Sequence, residues 1–122
     1  RGLGDVYKRQ VYELNVKFSR CESMELALRD GASLTWKNGL LTLDIEACGS
    51  GRDRRSVKLA DLRNLQVFSD TSSLEIFVNG GEEVFTTRVY GQKGGIRISG
   101  ECGARAELYD LEGFSWESME EK

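Results

Sequence analysis

The chain has no histidine, no proline and only three cysteines in 122 residues. Without an imidazole, Ser72 and Ser73 have no general base to activate them, which excludes a serine triad. The missing histidine also argues against a zinc site, because Cys21, Cys48 and Cys102 are widely spaced in the sequence. An odd number of cysteines argues against a full disulfide framework and favours free thiols in a reducing cytoplasm, with the pairing of any two left open.

Other absences limit the partners. No apolar run approaches about eighteen residues, so no segment is predicted to span a membrane. The net charge is only -3, which gives no electrostatic reason to expect nucleic acid or an anionic membrane surface. The glycine-rich segment 91–95 lacks the spacing and the following helix of a nucleotide-binding loop. No metal and no cofactor are therefore predicted.

What the chain does contain is typical of a single globular domain. Hydrophobic residues make up 39% and charged residues 30%, and 14 glycines are available for turns. A chain of 122 residues can bury one substantial core. It is too short for a catalytic barrel or propeller plus a second module.

The stretch 70–90 carries the clearest structural pattern. Leu74, Ile76 and Val78 alternate with Glu75, Phe77 and Asn79. A period of two residues places each set on one face of a β-strand. The glycines that follow Asn79 tolerate positive φ, and a β-rich run then resumes. The pattern predicts a β-hairpin.

The same alternation recurs along the rest of the chain. Asn38-Gly39 predicts a second tight hairpin turn, and 49–55 is predicted to be a polar loop. About ten short strands without a convincing helix predict an all-β fold, an antiparallel β-sandwich of two packed sheets with a concanavalin or lectin-like arrangement. The predicted strands are 12–18, 24–28, 34–36, 41–45, 57–59, 65–69, 74–78, 84–90, 96–98 and 104–108.

Nine residues of the hairpin form an ordered signature: Asp70, Ser73, Glu75, Phe77, Asn79, Gly81, Glu82, Thr86 and Arg88. This signature resembles that of the C-terminal β-sandwich of glycoside hydrolase family 32, which includes invertases, sucrose-6-phosphate hydrolases and fructanases. A weaker resemblance extends upstream to Tyr12 and downstream to Tyr109. Two turn positions depart from the family pattern, which commonly has Asp in place of Gly80 and Pro in place of Gly91.

The resemblance implies a non-catalytic module. In family 32 the catalytic groups lie in an N-terminal five-bladed propeller, on Asn-Asp-Pro-Asn-Gly, Arg-Asp-Pro and Glu-Cys segments. A chain without proline cannot contain the first two. Glu101-Cys102 spells the third, but two-residue motifs recur often and this one lies in a glycine-flanked turn, so we interpret it as a coincidence. No catalytic residue is assigned to the chain.

The resemblance also implies what the parent protein would do. The parent would hydrolyse β-fructofuranosyl bonds in sucrose, sucrose phosphate or fructans, in the bacterial cytoplasm, and the missing propeller would be the partner of this domain. Homodimerisation and a weak sugar contact are left open. An independent carbohydrate-binding module of lectin-like type is the alternative hypothesis, and a small complete glycosidase is a third.

Three segments are distinguished. Residues 1–10 do not continue the alternation and resemble a translated adapter sequence, so they are predicted to be non-native. Residues 11–114 are the expected sandwich. Residues 115–122 are predicted to be a frayed acidic tail.

Individual side chains have competing interpretations. Asp70 is expected to cap the hairpin entry rather than contact a sugar. Glu75 is expected to pair with Arg88 across the hairpin. A basic cluster is expected to be a solvated loop rather than a phosphate site: it comprises Arg52, Arg54, Arg55 and Lys58. Four aromatic residues are expected to pack against the sandwich rather than stack on a sugar: Trp36, Tyr90, Tyr109 and Trp116.

Overall fold

A computed structural model describes residues 11–29, 31–45, 54–89, 96–110 and 116–121. These residues form eleven β-strands and no helix. The strands are β1 (Tyr12–Cys21), β2 (Ser23–Arg29), β3 (Ala32–Lys37), β4 (Leu40–Asp44), β5 (Arg54–Lys58), β6 (Asn64–Ser69), β7 (Ser73–Val78), β8 (Glu83–Arg88), β9 (Arg97–Ser99), β10 (Cys102–Asp110) and β11 (Trp116–Glu121).

The strands are divided between two sheets. Sheet A has six strands in the order β11-β10-β1-β6-β7-β8, and sheet B has five in the order β5-β4-β3-β2-β9. Neighbouring strands run antiparallel in both sheets. The predicted antiparallel β-sandwich is confirmed.

The core lies between the sheets because alternate side chains of each strand point inward. In β1, Tyr12, Leu14 and Val16 are at most 1% exposed, whereas Glu13 and Asn15 between them are half-buried. Burying one leucine fully stabilises the fold by about 1.5–3 kcal/mol. Both sheets contribute many such residues, among them Leu26, Leu34, Leu41, Leu43, Leu65, Val67, Leu74, Ile76, Ile98 and Leu108.

The chain crosses between the sheets twice at one corner, from β1 to β2 and from β9 to β10. The Glu22 backbone N–H donates to the Glu101 carbonyl at 2.8 Å and joins the two crossings. Gly100 has φ 127°, and a Cβ there would lie 2.5 Å from the Ser23 carbonyl oxygen. Glycine is therefore required for the two crossings to pass each other.

Two elements differ from the sequence prediction. β5 begins at Arg54, inside the segment predicted to be a loop, and it is an edge strand of sheet B. β11 pairs with β10 at the edge of sheet A, where a frayed tail is predicted. Neither strand has the strict apolar alternation on which the prediction relied. The segment 1–10 lies outside the described residues, so its non-native origin stays a prediction.

Candidate functional site

The signature hairpin is formed by β7 and β8 at one edge of sheet A. Leu74, Ile76 and Val78 are fully buried, so this side of β7 faces the core. The other side of the hairpin points away from sheet B, and it carries Glu75, Phe77, Thr86 and Arg88. The predicted hairpin is confirmed, and its signature residues fall into three groups: the turn, the entry and the outer face.

The turn of the hairpin is held by the side chain of Asn79. Its Oδ1 accepts hydrogen bonds from the backbone N–H groups of Arg63, at 2.7 Å, and Asn64, at 3.1 Å. Its Nδ2 donates to the Asp61 carbonyl oxygen at 2.9 Å and to Glu82 Oε1 at 3.2 Å. Asn79 has φ 52°, a left-handed conformation that asparagine tolerates better than most residues. Asn79 thus ties the β7–β8 turn to the segment that leads into β6.

Charged side chains surround the same turn. Arg63 donates to both carboxylate oxygens of Asp61, at 2.8 and 2.7 Å, and to Glu82 at 3.4 Å. The Asp61 contact raises the pKa of Arg63 above its ordinary value, with a smaller contribution from Glu82. Because all three side chains are exposed, each ion pair contributes little to stability. Asn64 Oδ1 accepts from the Gly80 N–H at 3.0 Å and completes the turn.

The entry of the hairpin is held from the opposite sheet. Arg29, in β2 of sheet B, is only 4% exposed. Its Nη2 donates to Ser69 Oγ at 2.5 Å and to the Asp70 carbonyl oxygen at 2.9 Å. The carboxylate of Asp70 accepts from the Thr71 N–H at 2.7 Å. The Asp70 carboxylate thus caps the hairpin entry, which is the structural role expected of it. The Asp70 backbone is held separately by the buried guanidinium of Arg29.

A β-bulge explains how Arg29 reaches the core. The pairing of β2 with β3 shifts register between Ala27 and Arg29, and a bulge turns successive side chains away from strict alternation. Leu28 and Arg29 are consequently both buried. Arg29 was not predicted to be buried, because strict alternation of side chains assigns it to the outer face. No pattern of apolar residues in the sequence indicates the bulge.

Tyr12 completes this buried polar group. Its hydroxyl donates to the Leu28 carbonyl oxygen at 2.9 Å and so joins β1 of sheet A to β2 of sheet B. Burial raises the pKa of Tyr12 to about 12, although nearby Arg29 and Ser69 act in the opposite direction. The group stabilises the packing of the two sheets and lies under the Asp70 end of the hairpin.

The expected Glu75–Arg88 pair is not formed. The register places Thr86 opposite Glu75, and Ser73 opposite Arg88. Glu75 and Arg88 are therefore diagonal neighbours, and the described residues show no ion pair between them. The sequence prediction was wrong because it did not fix the register of the hairpin.

The predicted basic loop is wrong for the two arginines that the structure describes, because both lie in β5, although Arg54 is exposed to solvent as expected. Arg54 lies in β5 and forms an ion pair with Asp44 of β4 at 2.8 Å. Arg55 is half-buried, donates to the Thr86 carbonyl oxygen at 3.0 Å and lies 5.8 Å from the centre of the Phe85 ring. Arg55 thereby joins the edge strands of the two sheets. Lys58 is exposed at the end of β5, and Arg52 lies outside the described residues.

Of the four aromatic residues that were expected to pack against the sandwich, the structure describes the side chains of Trp36 and Tyr109. Trp36 is 6% exposed, and its indole N–H donates to the Leu59 carbonyl oxygen at 2.9 Å, so it packs in the core as expected. Tyr109 is half-buried in β10. Tyr90 and the side chain of Trp116 lie outside the described part of the structure. Neither Trp36 nor Tyr109 presents a fully exposed ring on which a sugar would stack.

A depression lies beside the hairpin entry and has a volume of about 300 Å³. It is lined by Val11, Phe68, Ser69, Asp70, Ser73 and Glu75. Glycoside hydrolysis needs two carboxylates, one of them in a site from which water is excluded. Asp70 and Glu75 are both exposed, as is Glu101 at the corner between the sheets. None of these three carboxylates lies in a site from which water is excluded.

Two further kinds of site are absent from the described residues. No three residues among histidine, cysteine, aspartate and glutamate lie close enough to hold a metal ion. Within the same residues, no helix has the length and apolar character needed to cross a membrane.

Comparison with known proteins decides the family. The family model described as glycosyl hydrolases family 32 C terminal matches residues 4–112. The chain belongs to this family. The match begins inside segment 1–10, and it ends close to the predicted limit of the sandwich. All nine signature residues lie within the matched region.

Relatives of this family 32 domain are much longer proteins. A sucrose-6-phosphate hydrolase from Salmonella typhimurium is 38% identical over 77 residues, covering 55% of this chain and 16% of that protein. The sucrose-6-phosphate hydrolase of Staphylococcus xylosus is 39% identical, and the match covers 60% of this chain and 17% of that protein. The sucrose-6-phosphate hydrolase of Bacillus subtilis is 31% identical, and the match covers 57% of this chain and 15% of that protein. The chain thus spans about a sixth of these relatives.

A solved structure has the same fold. The exo-inulinase from Aspergillus awamori aligns with a TM-score of 0.68 over 89% of this chain and 27% of that enzyme. The sequence identity is 17%, so the similarity concerns the fold alone.

Proposed function

We propose that this family 32 domain supports the catalytic propeller of a longer enzyme and takes no part in bond cleavage itself. The parent enzyme would hydrolyse the β-fructofuranosyl bond of sucrose 6-phosphate, because the bacterial relatives at 31–39% identity are named for that reaction. The observation that carries the proposal is the use of the signature residues. Asp70, Asn79 and Glu82 are engaged in contacts within the domain.

The outer face of sheet A is the surface that we assign to the propeller. Phe68 and Phe77 lie on this face, in edge-to-face contact with ring centres 5.9 Å apart. Val84 lies opposite Phe77 in the register and is 49% exposed. The two half-buried phenylalanine rings and the exposed Val84 form an apolar group of the kind that a second domain covers.

The first experiment separates support from catalysis. The chain alone should release no sugar from sucrose or sucrose 6-phosphate. Residues 11–121 would then replace the matching region of the Bacillus subtilis relative, and the graft should recover activity that deletion of that region removes. Hydrolysis by the chain alone would contradict the proposal, and so would a graft as inactive as the deletion.

A matched pair of variants tests the assigned face. Val84→Lys adds a charge to the outer face of sheet A, and Leu40→Lys adds the same charge to sheet B at a residue of similar exposure, 45%. In the graft, Val84→Lys should shorten the half-life of activity at elevated temperature, while Leu40→Lys should not. Equal effects would show that the propeller does not use the sheet A face.

A sugar-binding module is a second candidate, favoured by the depression beside Asp70. The ring of Phe68 next to two carboxylates and the Ser73 hydroxyl has the chemistry of a weak sugar contact. Calorimetric titration of the chain with sucrose and with inulin tests it. Saturable binding that Phe68→Ala abolishes without unfolding would favour the module, and no binding at millimolar sugar would reject it.

A further inference from the structure

Cys21 and Cys102 are brought face to face by the fold, although 80 residues separate them in the sequence. They are register partners on the neighbouring strands β1 and β10. Cys102 is buried at 1% exposure, and Cys21 is partly buried against the same core cluster. Both carry a thiol that is not in a disulfide.

The hydrogen bonds of the corner define the kind of pairing. The Glu22 N–H donates to the Glu101 carbonyl oxygen at 2.8 Å, one residue beyond each cysteine. In an antiparallel pair this pattern marks Cys21 and Cys102 as a non-hydrogen-bonded pair, whose Cα atoms are typically about 4.5 Å apart. Disulfides form at Cα separations of about 4.4–6.8 Å. The backbone therefore needs no rearrangement to admit a cross-strand bond.

We propose that Cys21 and Cys102 are a thiol-oxidation site that closes to a reversible disulfide when the protein meets a small organic disulfide. The Cys21 thiolate attacks one sulfur of the oxidant, forms a mixed disulfide and releases the first thiolate. The Cys102 thiolate then attacks Cys21 Sγ and releases the second. Two protons pass from the cysteines to the released thiolates, so one disulfide is formed and one is reduced.

The order of attack follows from access. Cys21 is the only member of the pair with appreciable exposure, so the oxidant reaches it first. Burial, together with the neighbouring Cys102, raises the pKa of Cys21 to about 12. Because the thiolate is the nucleophile, oxidation is slow at neutral pH and accelerates as the pH rises. The second step is intramolecular and is favoured by the enforced contact of the two strands.

The position of the two cysteines means that a disulfide between them would stabilise the domain against unfolding. It would join β1 to β10 beside the corner where both crossings between the sheets pass. The loop that it closes is long, and a cross-link of a long loop restricts the unfolded chain strongly. In a chain of this length we expect the melting temperature to rise by about 10 °C on oxidation.

The test oxidises the full 122-residue chain with oxidised glutathione at pH 8.5 and maps the peptides without reduction. Trypsin cleaves after Arg20, Arg29, Arg97 and Arg105, so the expected product is peptide 21–29 linked to peptide 98–105. Dithiothreitol should separate them. Cys48 lies in a different peptide, 38–52, and its linkage to either cysteine as the main product would overturn the proposal.

A variant isolates the structural effect. In Cys48→Ser, only the proposed pair can close, and its melting temperature should rise on oxidation and fall again on reduction. Cys21→Ser in the same background should show neither change. If the wild-type chain retains free thiols at both positions after prolonged oxidation, as measured by mass after alkylation, the proposal is wrong.

Discussion

Replacing Asn79 by alanine should destabilise the domain far more than replacing a second asparagine in the same backbone conformation. Asn79→Ala removes four side-chain hydrogen bonds, to Arg63, Asn64, Asp61 and Glu82. Solvent can replace part of each bond at this exposed turn, so the four together contribute about 2 kcal/mol. Alanine at φ 52° adds about 1 kcal/mol of backbone strain. The expected loss is about 3 kcal/mol.

Asn38 is the matched control. It has φ 54° in the β3–β4 turn, and its side chain makes no hydrogen bond within the described residues. Asn38→Ala should therefore cost only the strain, about 1 kcal/mol. In a chain of this length, the two variants should lower the melting temperature by about 12 °C and about 4 °C.

Urea denaturation followed by tryptophan fluorescence measures both variants, and Asn79→Gly separates the two contributions. Glycine relieves the strain while still losing the bonds, so this variant should lie near 2 kcal/mol. Equal losses in Asn79→Ala and Asn38→Ala would refute the reasoning, since the hydrogen bonds of Asn79 would then contribute nothing measurable.

Three further predictions follow from the described contacts. Gly100→Ala should cost more than about 2 kcal/mol, because its Cβ would lie 2.5 Å from a backbone oxygen, whereas Gly81→Ala at φ 107° has open space and should cost only strain. Arg29→Met should lower the free energy of unfolding by about 2–4 kcal/mol in urea titrations, because it removes the charged donor of the hydrogen bonds to Ser69 and the Asp70 carbonyl oxygen, and the exposed Arg20→Met by less than about 0.5 kcal/mol. The pKa of Tyr12 is raised from 10.0 to about 12 in the folded protein, so the unfolded chain loses the tyrosine proton at a lower pH than the folded one. The stability that Tyr12 contributes is therefore lost as the pH rises from 10 to 12. Unfolding midpoints from pH 9 to 12 should fall less steeply in Tyr12→Phe, and an unchanged slope would contradict this assignment.

Sequence reasoning succeeded where the local pattern determines the structure. The alternation of Leu74, Ile76 and Val78 predicts a strand with one buried face, and the structure confirms it. The pair Asn38-Gly39 predicts a tight turn, and both residues adopt the required positive φ. In each case the period of the side chains or the φ preference of a residue acts within a few positions.

It failed where the structure depends on residues distant in the sequence. The bulge that buries Arg29 depends on how β2 meets β3, and the partners of Arg29 lie 40 and 41 residues away. The register that separates Glu75 from Arg88 depends on the turn of the hairpin. The sequence predicted Arg55 to lie in a solvated loop, because its contacts with Phe85 and Thr86 form only when the two sheets pack together.

The contacts divide the family signature into two parts with different explanations. At one end of β7, Asp70 is bound to sheet B through Arg29, and at the other end Asn79 is bound to the segment before β6. These positions are explained by the fold of the domain alone. Between them, Glu75, Thr86 and Arg88 are exposed on the outer face of sheet A, and the described internal contacts give no reason for their identity. These three residues lie on the same outer face as Phe77 and the exposed Val84, so the middle of the hairpin belongs to the surface that we assign to the propeller.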